Sequence, residues 1–274
     1  MTVSVPDTLT TDHSEKYIMS IRLWSGGLSF SAYNPSEGES FFFREVKFDR
    51  TIPYTTSLKE LFFTNECLTW TYKRTSVLCV SPQYTLAPNE WIRDKQEPLF
   101  LSFIFSSPEK RCLSNLVEEE TVELIFGLDE EIYEFCARSL TRPIFTHHIT
   151  PQLIMLKKQS RNEKANHMFV VLHHRMVDIT CFSEVRLLFV NSFDFEQLSD
   201  LLYYILCAWK QTGMNQLSDF LFLAGETGLC NRVNQSLQTY IRHIGRMEIP
   251  AKAYLLGGEI LQAPIDLILS SVCE

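Results

Sequence analysis

The chain has no apolar run approaching the roughly 20 residues needed to cross a bilayer, which excludes a helical membrane protein. Its first 16 residues are polar and carry Asp7, Asp12 and Glu15. They offer neither the basic stretch nor the apolar stretch of a secretory signal, so a cytoplasmic location is expected. There is no C-x-x-C pair among the eight cysteines. Several sit inside apolar runs, such as Val77-Leu78-Cys79-Val80 and Ile205-Leu206-Cys207-Ala208, so buried free thiols are expected rather than disulfides. No His or Cys spacing matches a zinc motif, and no G-x-S-x-G marks a nucleophile. Positive charge is also in short supply. The formal net charge is −8, which argues against an electrostatic grip on nucleic acid or on an anionic membrane. The one basic cluster, Lys157-Lys158 with Arg161 and Lys164, is short and contains Glu163.

What the chain does have is length and apolar residues. Its 274 residues are 45% hydrophobic and 21% charged, enough for two globular domains with large cores. The 20 Phe and 10 Tyr suit strand-rich packing.

The most informative pattern is a segment repeated in outline, at residues 17–80 and 166–224. The first copy opens with a strand over 17–24, a Ser25-Gly26-Gly27 turn, and a strand over 28–33 whose Leu28, Phe30 and Ala32 alternate with serines. After the Asn34-to-Gly38 loop comes a strand over 40–48 containing Phe41-Phe42-Phe43, read as buried on both faces. A short helix is predicted over 57–66, then a strand pair over 68–72 and 77–80. Residues 82–88 read as a loop bracketed by prolines, followed by a short helix over 89–93.

Residues 98–126 are expected to form an inserted region, extended over 99–105 and 121–126, with 112–117 a weaker strand. Helices are predicted over 129–139 and 150–161, with a short strand over 144–146 between them. The polar break Asn162-Glu163-Lys164 marks the expected boundary between a first domain over 16–163 and a second over 164–274. Residues 1–15 read as a loose tail.

The second copy has strands over 167–173, 176–182 and 185–190. Asp194 is read as the N-cap of a long helix, with Gln197 in the capping-box position and Gly213 at its end. Leu198, Leu201, Leu202, Ile205 and Leu206 form its apolar face. A strand over 219–223 runs into Ala224-Gly225-Glu226-Thr227-Gly228. A helix over 229–243 follows, and the last 25 residues are expected to add a strand and a terminal helix.

Three antiparallel strands followed by alternating helix and strand, in duplicate, resemble the actin-like ATPase superfamily, built from two ribonuclease-H-like halves. The likeness implies an α/β fold with two mixed sheets flanked by helices. It is strongest to the small bacterial members, which include pilus-assembly and cell-division actin homologues, and to uncharacterised proteins of that type from Bacteroides-like bacteria. Ser81-Pro82-Gln83-Tyr84-Thr85-Leu86-Ala87-Pro88 carries that last likeness.

The resemblance implies where chemistry would sit. In active relatives an Asp in the first hairpin helps hold a hydrated cation, while backbone amides cradle phosphates. Here that position holds Arg22 or Trp24, and neither is a cation ligand. Arg22 is expected to decorate a strand edge. In the second hairpin the earlier Asp is replaced by Leu172 or His173, and the glycines by His174 and Arg175. Asp178 matches the later Asp. The adenosine-binding turn survives as Gly225-Glu226, its second Gly lost; a plain need for glycine between strand and helix explains it equally. Gly257-Gly258 lies too late to match.

The chain is therefore expected to be a degenerate member, non-catalytic, binding or scaffolding a protein partner, with no resident cofactor or metal. The alternative is an ATPase or kinase with rearranged ligands, using ATP and Mg, with Asp178, Glu226 or Asp49 in play. For that alternative the binding residues are Ser25, Gly26, Gly27, Asp178, Gly225 and Glu226. Any surviving cleft ligand is expected to be anionic or an acidic peptide, met by Arg22, Ser25, His173 or His174, Arg175 and Glu226. The adjacent pairs His147-His148 and His173-His174 can each give at most one side chain to a common site if extended, because strand neighbours point to opposite faces.

Overall fold

The structure is a computed structural model, and it describes residues 3–92, 96–117, 121–161 and 165–273. The predicted boundary at Asn162-Glu163-Lys164 lies outside the described residues, as does Arg93 at the end of the predicted 89–93 helix. The helix there is a 3-10 turn over Asn89–Trp91.

Two five-stranded sheets share one topology. The first contains β1 (Ile18–Trp24), β2 (Gly27–Tyr33), β3 (Phe42–Lys47), β4 (Arg74–Cys79) and β8 (Ile144–His147), in the order β3-β2-β1-β4-β8. The second contains β9 (Asn166–Leu172), β10 (Met176–Ser183), β11 (Arg186–Asp194), β12 (Phe220–Gly225) and β13 (His243–Arg246), in the order β11-β10-β9-β12-β13. In each, the first three strands pair antiparallel and the rest add in parallel. The strand in the middle of each sheet, β1 or β9, is thus equivalent in the two halves. Both are buried almost throughout, as expected for strands packed on both faces.

A third sheet, β5-β7-β6, is the inserted region: β5 (Tyr84–Pro88), β6 (Arg111–Val117) and β7 (Val122–Leu128). Helices α1 (Tyr54–Thr64), α2 (Glu97–Ile104), α3 (Glu130–Ser139) and α4 (Ile149–Ser160) belong to the first half. α5 (Leu198–Gln211), α6 (Thr227–Leu237), α7 (Ala251–Tyr254) and α8 (Ile265–Val272) follow. One large core spans the first sheet, the insertion, α4, α8 and one face of the second sheet. A second core lies between the other face of the second sheet and α5 and α6.

Several predicted elements are corrected. Residues 99–105 are not extended: Glu97–Ile104 is helical, with Pro98 in its first turn, where its missing N–H costs nothing. Residues 68–72 are not a strand. A 3-10 turn over Glu66–Thr69 stands there, begun at Asn65, whose side-chain amide donates to the Leu61 carbonyl of α1. The proline-bracketed loop contains β5, an edge strand ending at Pro88, which is where a sheet tolerates proline. Helix α5 begins one turn later than predicted, because β11 runs on to Asp194; Gln197 is the N-cap, and its capping box closes with Asp200.

The helix predicted over 229–243 stops at Leu237, and His243–Arg246 forms β13 instead. No strand lies among the described residues of the last 25. They hold α7, a 3-10 turn over Gly258–Gln262, and α8. The N-terminal segment, read as loose, is pinned: Leu9 is buried, and the Val3 amide donates to Asn65 Oδ1 at 2.6 Å.

The segment after β13 returns to the first half. The Phe41 amide donates to the Leu256 carbonyl (3.0 Å), and the Phe43 amide to Glu259 Oε2 (3.2 Å). Both cover the outer edge of β3. Gly257 lies here too, at φ +113°, where an added Cβ would stand 2.9 Å from Glu39 Cα. Helix α8 packs on β1 and α4, and Tyr33 Oη donates to the Ser271 carbonyl at 3.2 Å.

Candidate functional site

The two hairpins and the Gly225 turn converge on a cleft between the halves, of about 700 Å³. Arg22, Trp24, Ser25, His173, His174, Arg175, Gly225 and Glu226 all line it. Gly26, in the two-residue turn between β1 and β2, and Gly27, the first residue of β2, lie beside it. Asp178 lies beneath it, fully buried on β10.

Arg22 is not at an edge. It sits on β1, the middle strand, and is 4% exposed. A buried guanidinium needs a counter-charge, and Asp266 on α8 supplies it, with Oδ2 2.8 Å from Arg22 Nε. Arg22 Nη2 also donates to His173 Nδ1 at 3.1 Å. That leaves the His173 proton on Nε2, which donates to Asp178 Oδ2 at 2.6 Å. Ser192 Oγ donates to Asp178 at 2.6 Å and Gln152 Nε2 at 2.8 Å. His148, at the start of α4, reaches both Asp178 oxygens at 3.1 Å through Nε2.

The other His148 nitrogen lies 3.2 Å from the Cys79 carbonyl. Both of its ring nitrogens therefore face oxygen atoms. The result is a buried chain of polar contacts running Asp266, Arg22, His173, Asp178, His148. It links β1, β10, α4 and α8. Burial alone would push the Asp178 carboxyl up, but His148 and His173 outweigh it and hold it well below the usual carboxylate range. At Asp266 burial likewise acts upward, and the Arg22 guanidinium, in direct contact, outweighs it.

His148, His173 and Asp178 lie close enough together to suggest a metal site, their ligand atoms within 4.8 Å of one another. The donor set does not fit one. A metal on His173 Nε2 would leave the ring's remaining proton on Nδ1, facing the guanidinium N–H of Arg22. Sequence reasoning named His148 only within its pair and did not join it to Asp178. Its position ahead of α4, the helix crossing between the halves, was the available signal.

Each of these glycines stands where a side chain would collide with its surroundings. Gly26 lies under the Trp24 ring, where an added Cβ would stand 2.2 Å from Cζ3. Trp24 thus covers the backbone where the resemblance would put phosphate, and the His174 ring meets it edge-on at 6.2 Å. Gly27 pairs with Lys47, and a Cβ there would meet the Val46 carbonyl at 2.1 Å. Gly225 has φ +121°, and its Cβ would stand 2.3 Å from the Leu172 carbonyl. β12 and β9 approach too closely there for any other residue. Ser25 and Glu226 are exposed. Asp49 stands apart in a separate open groove and accepts hydrogen bonds from Thr51.

A family profile described as "Protein of unknown function (DUF3822)" matches residues 6–244. The chain belongs to the DUF3822 family. No curated protein matches it. A crystal structure of a Bacteroides thetaiotaomicron protein with actin-like ATPase fold and unknown function is similar to it, at 28% identity and TM-score 0.81. The match covers 95% of this chain and 98% of that one. The PilM-PilN type IV pilus biogenesis complex contains a chain that aligns at TM-score 0.54 and 10% identity, over 93% and 97% of the two chains; that likeness is one of fold. This DUF3822 chain has the actin-like ATPase fold, as the sequence pattern implied. Among its described residues no helix is long and apolar enough to cross a membrane.

Proposed function

We propose that this DUF3822 protein is a degenerate actin-like ATPase-fold chain that acts as a non-catalytic binding or scaffolding module for a protein partner, in the cytoplasm. The observation that carries the reading is Arg22. It occupies the cation-site strand and is locked to Asp266, while the remaining acid, Asp178, is fully buried and spent on four donors. Phosphoryl transfer needs a carboxylate free to place a cation, and amides free to hold phosphate. Here the acid is saturated and Trp24 lies on the turn. The idea of an anionic cleft ligand is weakened on the same grounds, since Arg22 is neutralised internally; Arg175, 3.6 Å from Glu196, is the more open cation.

Calorimetric titration with Mg·ATP and Mg·ADP, together with a phosphate-release assay, tests the reading. Neither heat of binding nor release above background is expected. Turnover that disappears in Asp178→Asn would overturn it in favour of an ATPase with rearranged ligands.

A further inference from the structure

The two sheets treat their outer edges differently. The edge of β3 is covered by the chain itself, through Leu256 and Glu259. The equivalent edge of the second sheet, β11, is nine residues long and pairs only with β10 among the described residues. Leu187, Leu188, Phe189, Val190 and Phe193 on it are all part-exposed. It contains no proline and no lysine, and its charges, Arg186 and Asp194, stand only at its two ends. A long apolar edge left in that state is a template for another strand, and proteins normally blunt such edges.

The phase of its hydrogen bonds is fixed. The Phe195 amide donates to the Arg175 carbonyl at the start of the pairing, and antiparallel pairs alternate from there. Ser192 and Val190 therefore turn their amides away from β10. The Ser192 amide confirms the phase, since it falls back on its neighbour, Asn191 Oδ1, at 2.9 Å. Beside this edge lies a groove of about 750 Å³ whose far wall is the insertion: Tyr84, Leu86, Ile104 and Phe105. Tyr84 Oη and Ser192 Oγ, 3.4 Å apart, bring the two walls together at one point.

We infer that this groove takes an extended peptide segment of a partner protein, with alternating apolar side chains, as an added strand on β11. An outward backbone edge, with the Val190 amide open and the Ser192 amide held only by its neighbour's side chain, and apolar side chains on the other wall are the two things strand addition uses. The insertion wall favours a single thin segment over a second copy of this chain, whose own β11 is flanked by the same wall. The inference rests on the binding-module reading only in taking the chain to act through a partner. ATP turnover would sink that reading and leave the groove intact.

The probe is a peptide selected from a displayed library of random ten-residue peptides against the whole chain, then synthesised and measured by fluorescence anisotropy. Val190→Pro removes an amide that serves no bond to β10, so the sheet is kept while the outer edge is blocked. Binding should weaken at least tenfold in Val190→Pro and in Leu86→Glu on the opposite wall, and stay unchanged in Phe103→Glu on the exposed face of α2. A peptide N-methylated at alternate amides tests the same bonds without altering the protein, and one of the two methylation phases should abolish binding. The inference is overturned if neither phase matters, if Val190→Pro folds and binds like the parent, or if the selection yields no peptide. A concentration-dependent dimer in sedimentation that Val190→Pro abolishes would equally overturn it, assigning the edge to a second copy.

Discussion

Asp178→Asn is the sharpest probe of the buried network. The change keeps shape and removes one negative charge. It takes the carboxylate away from His148, in a site where both side chains are fully buried, and from His173 beside it. It also turns an amide NH2 toward a ring of donors, since His173, Gln152, Ser192 and His148 all point at the carboxylate. Breaking one side of a buried pair costs about 3–5 kcal/mol. At about 2–4 °C per kcal/mol for a chain of this size, the melting temperature should fall by on the order of 10 °C. Urea unfolding at pH 7 measures the loss, with circular dichroism confirming that the variant still folds. Pairing the change with His148→Gln should cost less than the sum of the two single changes, because both side chains belong to one buried contact. A loss under about 1 kcal/mol, or two single effects that simply add, would refute the coupling.

Gly225→Ala should cost several kcal/mol, as both its positive φ and the Leu172 carbonyl oppose a Cβ, whereas Gly213→Ala, at φ +69° with open space around it, should lose only about 1–2 kcal/mol; parallel denaturant melts separate the two. Burial, and next the neighbouring His148, hold the His147 ring well below the usual histidine value. The unfolded chain then binds the extra proton, so stability should begin to decline as pH falls below about 6.5. Asp178 and Asp266 are depressed carboxylates, whose contribution is complete above about 3.8 and lost as pH falls further through their folded values; a pH series of melts should show the two stages, and His147→Asn should remove the first alone. Burial pushes the Cys136 and Cys181 thiols up to about 12, so neither should react with a thiol reagent at pH 8 until the protein is unfolded.

Much of the architecture was legible because it was written twice. Strand order, the Gly26-Gly27 turn and the apolar face of α5 follow from alternation, glycine and helical spacing, which are local. The insertion was not legible. Leu99 to Phe105 is apolar nearly throughout, so its period is blurred, and the helix signal was the single Pro98. Tyr84 to Pro88 was hidden between prolines that an edge strand tolerates. At the site, the loss of the expected acids could be read directly from Arg22 and Trp24. What replaced them could not, because Asp266 lies 244 residues from Arg22 and no spacing rule connects them.

That separation bears on how the protein comes into being. The first half is made first, with an arginine already placed in the middle of its sheet. Its counter-charge arrives on α8, translated after every strand of both sheets. Until then the nascent first half carries an unneutralised cation in its interior and a bare β3 edge, since Leu256 and Glu259 also come late. The first half therefore cannot settle as an independent unit while the chain is being synthesised. A fragment ending at residue 161 should be insoluble or chaperone-bound, and supplying a separate chain that carries residues 166–273 should rescue it.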